Sequence, residues 1–148
     1  MKTVTLATSY SVSADDLWKI VTSYDALGKI AGRAISFRGL PEGEFEAGQS
    51  IEVSISLLGL LPRQEYHINI LERDDEFRVI KSSEHGAGVK VWQHTLVVSE
   101  SADGCTLVDI VNIQAGWLTL PAALWAKFIY RRRHVPRLRL LEAAAHAA

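Results

Sequence analysis

Two side chains in the sequence could do acid–base chemistry together. His94 lies in "VKVWQHTLVV" (89–98) and Asp109 in "GCTLVDI" (104–110). A carboxylate beside an imidazole fixes its tautomer and favours its protonated form. Such a pair can act as a general acid–base unit, orient a polar group of a ligand, or satisfy itself inside a core. Strand alternation puts Trp92, His94, Leu96 and Val98 on one face. On the next strand the inward set is either Leu107, Asp109, Val111 and Ile113, or Thr106, Val108, Ile110 and Asn112. If "SADG" (101–104) closes a hairpin, Asp109 falls opposite or diagonal to residues 94–98. Neighbours on a shared face then lie about 5–8 Å apart.

A second group lies nearer the C-terminus. Leu124, Phe128, Arg131, Val135, Leu138, Leu141 and Ala145 follow helical spacing, and Arg131 interrupts an otherwise apolar stripe. A guanidinium pointing at the sheet could anchor a ligand carboxylate, pair with Asp109 or another acid, or snorkel to water. Tyr130 could donate to a ligand carbonyl or serve as packing, and Trp18, Trp117 and Trp125 read as core or cavity-wall aromatics. His67, His85, His94, His134 and His146 have no metal-ligand spacing. No phosphate-binding glycine loop and no G-x-S-x-G elbow occurs, and "GAG" (86–88) reads as a turn.

These residues need elements to hold them. Residues 2–10 alternate as a strand. "VSADDLW" (12–18) has Ser13 at an N-cap, Asp16 at N3, and Val12 with Leu17 as a hydrophobic staple, so a helix follows, then a second short helix to about Ala31. Strands are expected near 33–38, 49–58, 64–73, 77–83, 89–100 and 105–114, with turn signals between them. Spacing this tight leaves no room for crossover helices, so the sheet is antiparallel. Residues from 117 to about 146 read as a long helix, kinked or split by Pro136. The expected fold is α+β: a curved antiparallel sheet of about seven strands wrapped on a C-terminal helix.

That order resembles the helix-grip fold of the START-like, or SRPBCC, superfamily, which includes polyketide cyclase/dehydrase-like proteins. "SADDLWKIVTSYDALGKI" is similar to the superfamily's opening segment. Trp92 and His94 match a W-x-H strand of a bacterial subgroup, Leu107 and Asp109 its T-x-L-x-D strand, and Phe128, Tyr130 and Arg131 its F-x-Y-R-H helix. The match departs at Cys105, where the motif has threonine, at Arg132, where it has histidine, and at "QAGW", where a proline usually ends the last strand. The resemblance implies one START-like ligand-binding domain over 1–148, with a cavity between sheet and helix for a hydrophobic molecule or lipid. It implies no shared nucleotide cofactor or metal, and favours Asp109 over its neighbours as inward. Candidate ligand-binding residues are Trp92, His94, Leu96, Asp109, Val111, Trp125, Phe128, Arg131 and Val135.

Bulk properties limit the alternatives. The chain has 148 residues, 48% apolar and 22% charged, the balance of an ordinary globule. Net charge is −1, so no DNA partner is expected. Yet Lys127, Arg131, Arg132, Arg133, Arg137 and Arg139 form a basic run without an acid. That run is a candidate docking surface for an acidic partner, RNA or anionic lipid, or simply a solvated face. A lone Cys105, no signal-peptide h-region and no span of roughly 20 apolar residues point to the cytoplasm. Three functions follow: binding of a small hydrophobic or amphipathic ligand; a cyclase or dehydratase using His94 and Asp109; and an interaction module docking through residues 127–139.

Overall fold

A computed structural model describes residues 1–147. The order is β1 (Lys2–Tyr10), α1 (Ala14–Val21), α2 (Tyr24–Ala31), β2 (Ile35–Arg38), β3 (Ser50–Leu57), β4 (Gln64–Asp74), β5 (Val79–Gly86), β6 (Val89–Ser101), β7 (Gly104–Gln114), a 3-10 turn (Gly116–Leu118), α3 (Thr119–Arg132) and α4 (His134–Ala147). The strands form one curled seven-stranded antiparallel sheet in the order β1-β7-β6-β5-β4-β3-β2. Only β1 departs from sequential pairing. It crosses to the far edge to pair with β7, with the two short helices in the connection.

Local signals account for the elements. The Ser13 hydroxyl accepts from the Asp16 backbone N–H (3.1 Å), and Ser23 caps α2 through Ala26 (3.2 Å), so each helix starts with an orphan donor satisfied. Val12 packs with Leu17 in the same cluster, as a staple should. Between β5 and β6, Ala87 (φ 51) and Gly88 (φ 85) both take positive φ, the requirement of a two-residue type I′ hairpin. Gly86 before them is constrained by space: a Cβ there would sit 2.5 Å from the Glu65 carbonyl oxygen.

The C-terminal helical segment is split at Arg133. Pro136 then falls in the first turn of α4, where backbone N–H groups have no intrahelical acceptor. The first such bond is made by Arg137 N–H to the Arg133 carbonyl (3.1 Å). The break thus removes the cost a proline imposes inside a continuous helix. Ala123, Ala126 and Ile129 of α3 pack on Val4, Val111 and Ile113 of β1 and β7. Leu141 of α4 packs on Leu17 and Trp18 of α1. Each fully buried aliphatic side chain of this kind contributes roughly 1.5–3 kcal/mol.

The helix face differs from the expected stripe. Leu124 (60% exposed), Phe128 (41%) and Val135 (52%) lie outside, as does Arg131. The inward series is Ala123, Ala126, Tyr130, Arg133, Arg137 and Leu141. Along α3 and the break the shift is one residue, about 100° of rotation, while Leu138 and Leu141 of the expected stripe do pack inward. Small alanines let α3 approach the strands closely, which Leu124 and Phe128 would prevent. The wall facing the helix break holds carboxylates, so arginines occupy positions that an apolar stripe would have left to valine. Trp117 (87% exposed) is likewise on the surface: Gly116 (φ 58) turns the chain so that Leu118, not Trp117, faces inward. No helix among the described residues is long and apolar enough to cross a membrane.

Candidate functional site

Between the concave sheet and the helices lies a cavity of about 320 Å³. This is within the range of small-molecule sites, roughly 300–1,000 Å³. Its walls are unlike. Ile30 of α2, Phe37 of β2 and Ile55 of β3 make one side apolar, and Ile68 of β4 stands at its border, paired with Glu84. Ser82 and Glu84 of β5, His94 of β6, and Tyr130, Arg133 and Arg137 at the helix break make the other side polar. Leu96 and Trp92 border the polar side, and Trp125 stands on the α3 wall.

Strand register builds the polar side. Ser82 pairs with His94 and Glu84 with Trp92 across β5–β6, while Asp109 pairs with Leu96 across β6–β7. His94 opposes Val111, so Asp109 is its diagonal neighbour on the same face. The His94 Nε2–Asp109 Oδ1 distance is 2.7 Å, with the two side chains 13% and 5% exposed. Burial raises the Asp109 pKa. The hydrogen bond and charge of His94, with the charges of Arg137 and Arg133, outweigh this and hold the carboxyl below its usual range. Asp109 is therefore an acceptor, and Nε2–H donates to it. This leaves Nδ1 as the ring's remaining polar atom.

Tyr130 sits at the centre. Its ring lies 5.0 Å from the His94 ring, and the Arg133 guanidinium stacks over it at 4.5 Å. Trp92 Nε1–H donates to its hydroxyl (3.3 Å). Burial pushes the phenol well above its usual pKa, so it stays protonated and keeps a proton to donate. Glu84 accepts from the Tyr66 hydroxyl (2.8 Å) and the Ser82 hydroxyl (3.2 Å). Burial, then the Glu84 charge, also raises the Tyr66 phenol. Arg133 (8% exposed) and Arg137 (4%) are buried, and neither Nε has a hydrogen-bond acceptor.

The candidate residues therefore divide. Trp92, His94, Leu96 and Trp125 line the cavity. Asp109 and Val111 lie buried on the same sheet face, with Asp109 behind His94. Phe128, Arg131 and Val135 are on the outer side of the helices and do not reach the cavity. The expectation for them failed because the helix presents its neighbouring face. The basic run is divided too: Lys127, Arg131, Arg132 and Arg139 face outward, Arg133 and Arg137 inward. Ser82, Glu84, Tyr66, Arg133 and Arg137 were not anticipated. Strand parity relates Ile80, Ser82 and Glu84, and the series 123, 126, 130, 133, 137, 141 has helical period once polarity is ignored. Among the described residues no three His, Cys, Asp or Glu side chains form a metal-ligating group.

No protein-family model and no curated protein matches the chain. Solved structures do. Protein CV1439 from Chromobacterium violaceum superposes with a TM-score of 0.76 at 12% identity, over 95% of this chain and 96% of that one. Ara h 8.0201 gives 0.68 at 14% identity, over 93% and 98%. DynU16, from the dynemicin biosynthetic locus, gives 0.66 at 15% identity, over 97% of this chain and 48% of its own. Similarity along almost the whole chain, together with the curled sheet and C-terminal helical segment, identifies the START-like helix-grip fold that the sequence motifs resembled.

Proposed function

We propose that the protein binds a small amphipathic molecule inside the cavity, its apolar body against α2 and β2–β4 and its polar end toward His94, Tyr130 and the helix break. The observation that carries this reading is the asymmetry of the walls: one side apolar, the other a cluster of buried hydrogen-bonding groups. A cavity that served packing alone would have no use for polar side chains, whose burial without partners costs about 1–3 kcal/mol each. Under this reading Trp92, His94, Leu96 and Trp125 contact the ligand, Asp109 orients His94, and 1–148 acts as one ligand-binding domain. The buried thiol of Cys105 suits a reducing cytoplasm. Native mass spectrometry of protein purified from its own host tests the proposal. A retained small molecule, lost when the cavity is filled by mutation, is the expected result. Protein that emerges empty and takes up no member of a broad set of apolar and amphipathic compounds sinks it.

A second reading has its own observation, the 2.7 Å His94–Asp109 contact. An imidazole held by a carboxylate on a cavity wall could move a proton to or from a bound substrate, as a cyclase or dehydratase requires. Replacing His94 with Gln separates the readings. Weakened binding with no reaction to lose supports the binding role; unchanged binding with turnover abolished supports the enzyme.

A further inference from the structure

The feature least explained by packing is the pair of inward arginines. Arg133 precedes the first residue of α4 and Arg137 follows one turn later, so both guanidinium groups project to the same side of the helix break and line the cavity. A guanidinium cannot lose its proton to ease burial, as a lysine or histidine can. It must find acceptors or leave a costly uncompensated charge. The available acids are already engaged. Asp109 is hydrogen-bonded by His94 at 2.7 Å, and Glu84 by Tyr66 and Ser82. Among the described residues neither arginine has a carboxylate within ion-pair distance, and both Nε atoms lack an acceptor; Arg137 also lies beside the buried phenol of Tyr10, a neutral group that offsets no charge. The Arg133 guanidinium carbon lies over the Tyr130 ring at 4.5 Å, a cation–π contact that satisfies no N–H donor. The Tyr130 hydroxyl, which accepts from Trp92, has its own proton to add to them.

We infer that Arg133 and Arg137, with Tyr130 beside them, form a binding site for the anionic oxyacid head group of the cavity's ligand, so that the cavity selects amphipathic acids over neutral molecules of the same shape. A planar, two-pronged donor matches a carboxylate or phosphate oxygen pair. The opposite apolar wall receives the hydrocarbon part. Arg131, on the outer surface, takes no part. This inference rests on the ligand-binding proposal and narrows it to one chemical class.

Matched probes test it on the intact chain by calorimetry: octanoate, octyl phosphate, octanamide and octan-1-ol, with 4-phenylbutanoate and its amide as a second shape. The expected result is that at least one anion binds about tenfold or more tightly than its neutral counterpart. Whether octanoate or octyl phosphate wins identifies the head group. Arg137→Gln and Arg133→Gln should each remove most of that preference while leaving neutral probes nearly unchanged, and Arg131→Gln should leave it intact. Thermal unfolding confirms that the ligand-free glutamine variants fold; some loss of Tm is expected, since both arginines also stabilise ionised Asp109, and the anion preference decides the assignment. Equal binding of acids and neutral probes overturns the anion site and leaves the cavity proposal standing. Binding of no probe in either shape overturns both. A preference for acids that survives in both glutamine variants places the anion elsewhere and overturns the assignment.

Discussion

At the scale of the residue, Asp109 and His94 have unequal roles. Asp109 stands within the field of His94, Arg133 and Arg137, and its ionised form is what they stabilise. Asp109→Ala should therefore cost about 3 kcal/mol, since Arg133 and Arg137 lose the carboxylate whose charge offsets theirs and His94 loses its hydrogen-bond acceptor. Asp109→Asn tests the same interaction through pH. A carboxyl whose folded pKa lies below its unfolded value of 3.8 contributes its full stability above that value and loses it as pH falls through the folded pKa. Denaturant midpoints of the wild type and Asp109→Asn should accordingly stay well separated between pH 7 and 5 and converge below about pH 4. A separation that persists at low pH would mean that shape rather than charge matters at this position. His94→Gln should be milder, about 1–3 kcal/mol, because the amide can still donate to Asp109 and no formal charge is stranded.

At the scale of the element, two backbone decisions hold the site. The β5–β6 hairpin sets Ser82 opposite His94 and Glu84 opposite Trp92. Its neck passes Gly86, whose φ of +129 and whose proximity to the Glu65 carbonyl oxygen admit no side chain. Gly86→Ala should lower stability by about 1–3 kcal/mol in thermal or chemical unfolding, from strain alone, and more if β4 has to shift. A neutral result would show the hairpin to be looser than its geometry. The second decision is the rotation of α3. Ile129 is 3% exposed and Leu124 60%. Ile129→Ala should cost about 2–5 kcal/mol, while Leu124→Ala should stay within about 0.5 kcal/mol. The reverse order would restore the face that apolar periodicity suggested.

At the scale of the molecule, the cavity belongs to no single element. Its lining comes from both short helices, from β2 through β6 and from both C-terminal helices. Such a volume is vulnerable to filling. Ile68→Trp places a larger side chain into it from the centre of β4, across the strand pair from Glu84. Stability should hold or rise by about 0.5–2 kcal/mol, the usual effect of filling a void, while uptake of any ligand falls. Loss of stability with uptake retained would show that the space at Ile68 is not where the ligand lies. The outer surface is separate from this. Lys127, Arg131 and Arg132 flank exposed Leu124 and Phe128 there, and none of them needs to change for the cavity to work.

The sequence by itself determined the parts that obey short periods. Alternation placed Trp92, His94 and Leu96 on one face, because strand side chains have a period of two; it left two faces open for the next strand, and the register across "SADG" puts Asp109 with them. The Ser13 cap and the turn glycines of "GAG" and "SADG" marked where elements begin and end, because capping and positive φ are local requirements. Pro136 marked the helix break for the same local reason. The direction of α3 and α4 about their own axes was decided only in the tertiary structure. A helix of mixed character offers several plausible faces, and the choice depends on what stands opposite. Here the opposing wall holds Asp109 and Glu84 among apolar strands, so the face that wins combines small alanines with Tyr130, Arg133 and Arg137. Burying a charge is unfavourable in isolation and becomes tolerable only among groups brought close by strands distant in sequence. No local pattern contains that information, so Arg131 stood out in the sequence and Arg133 and Arg137 stand in the site.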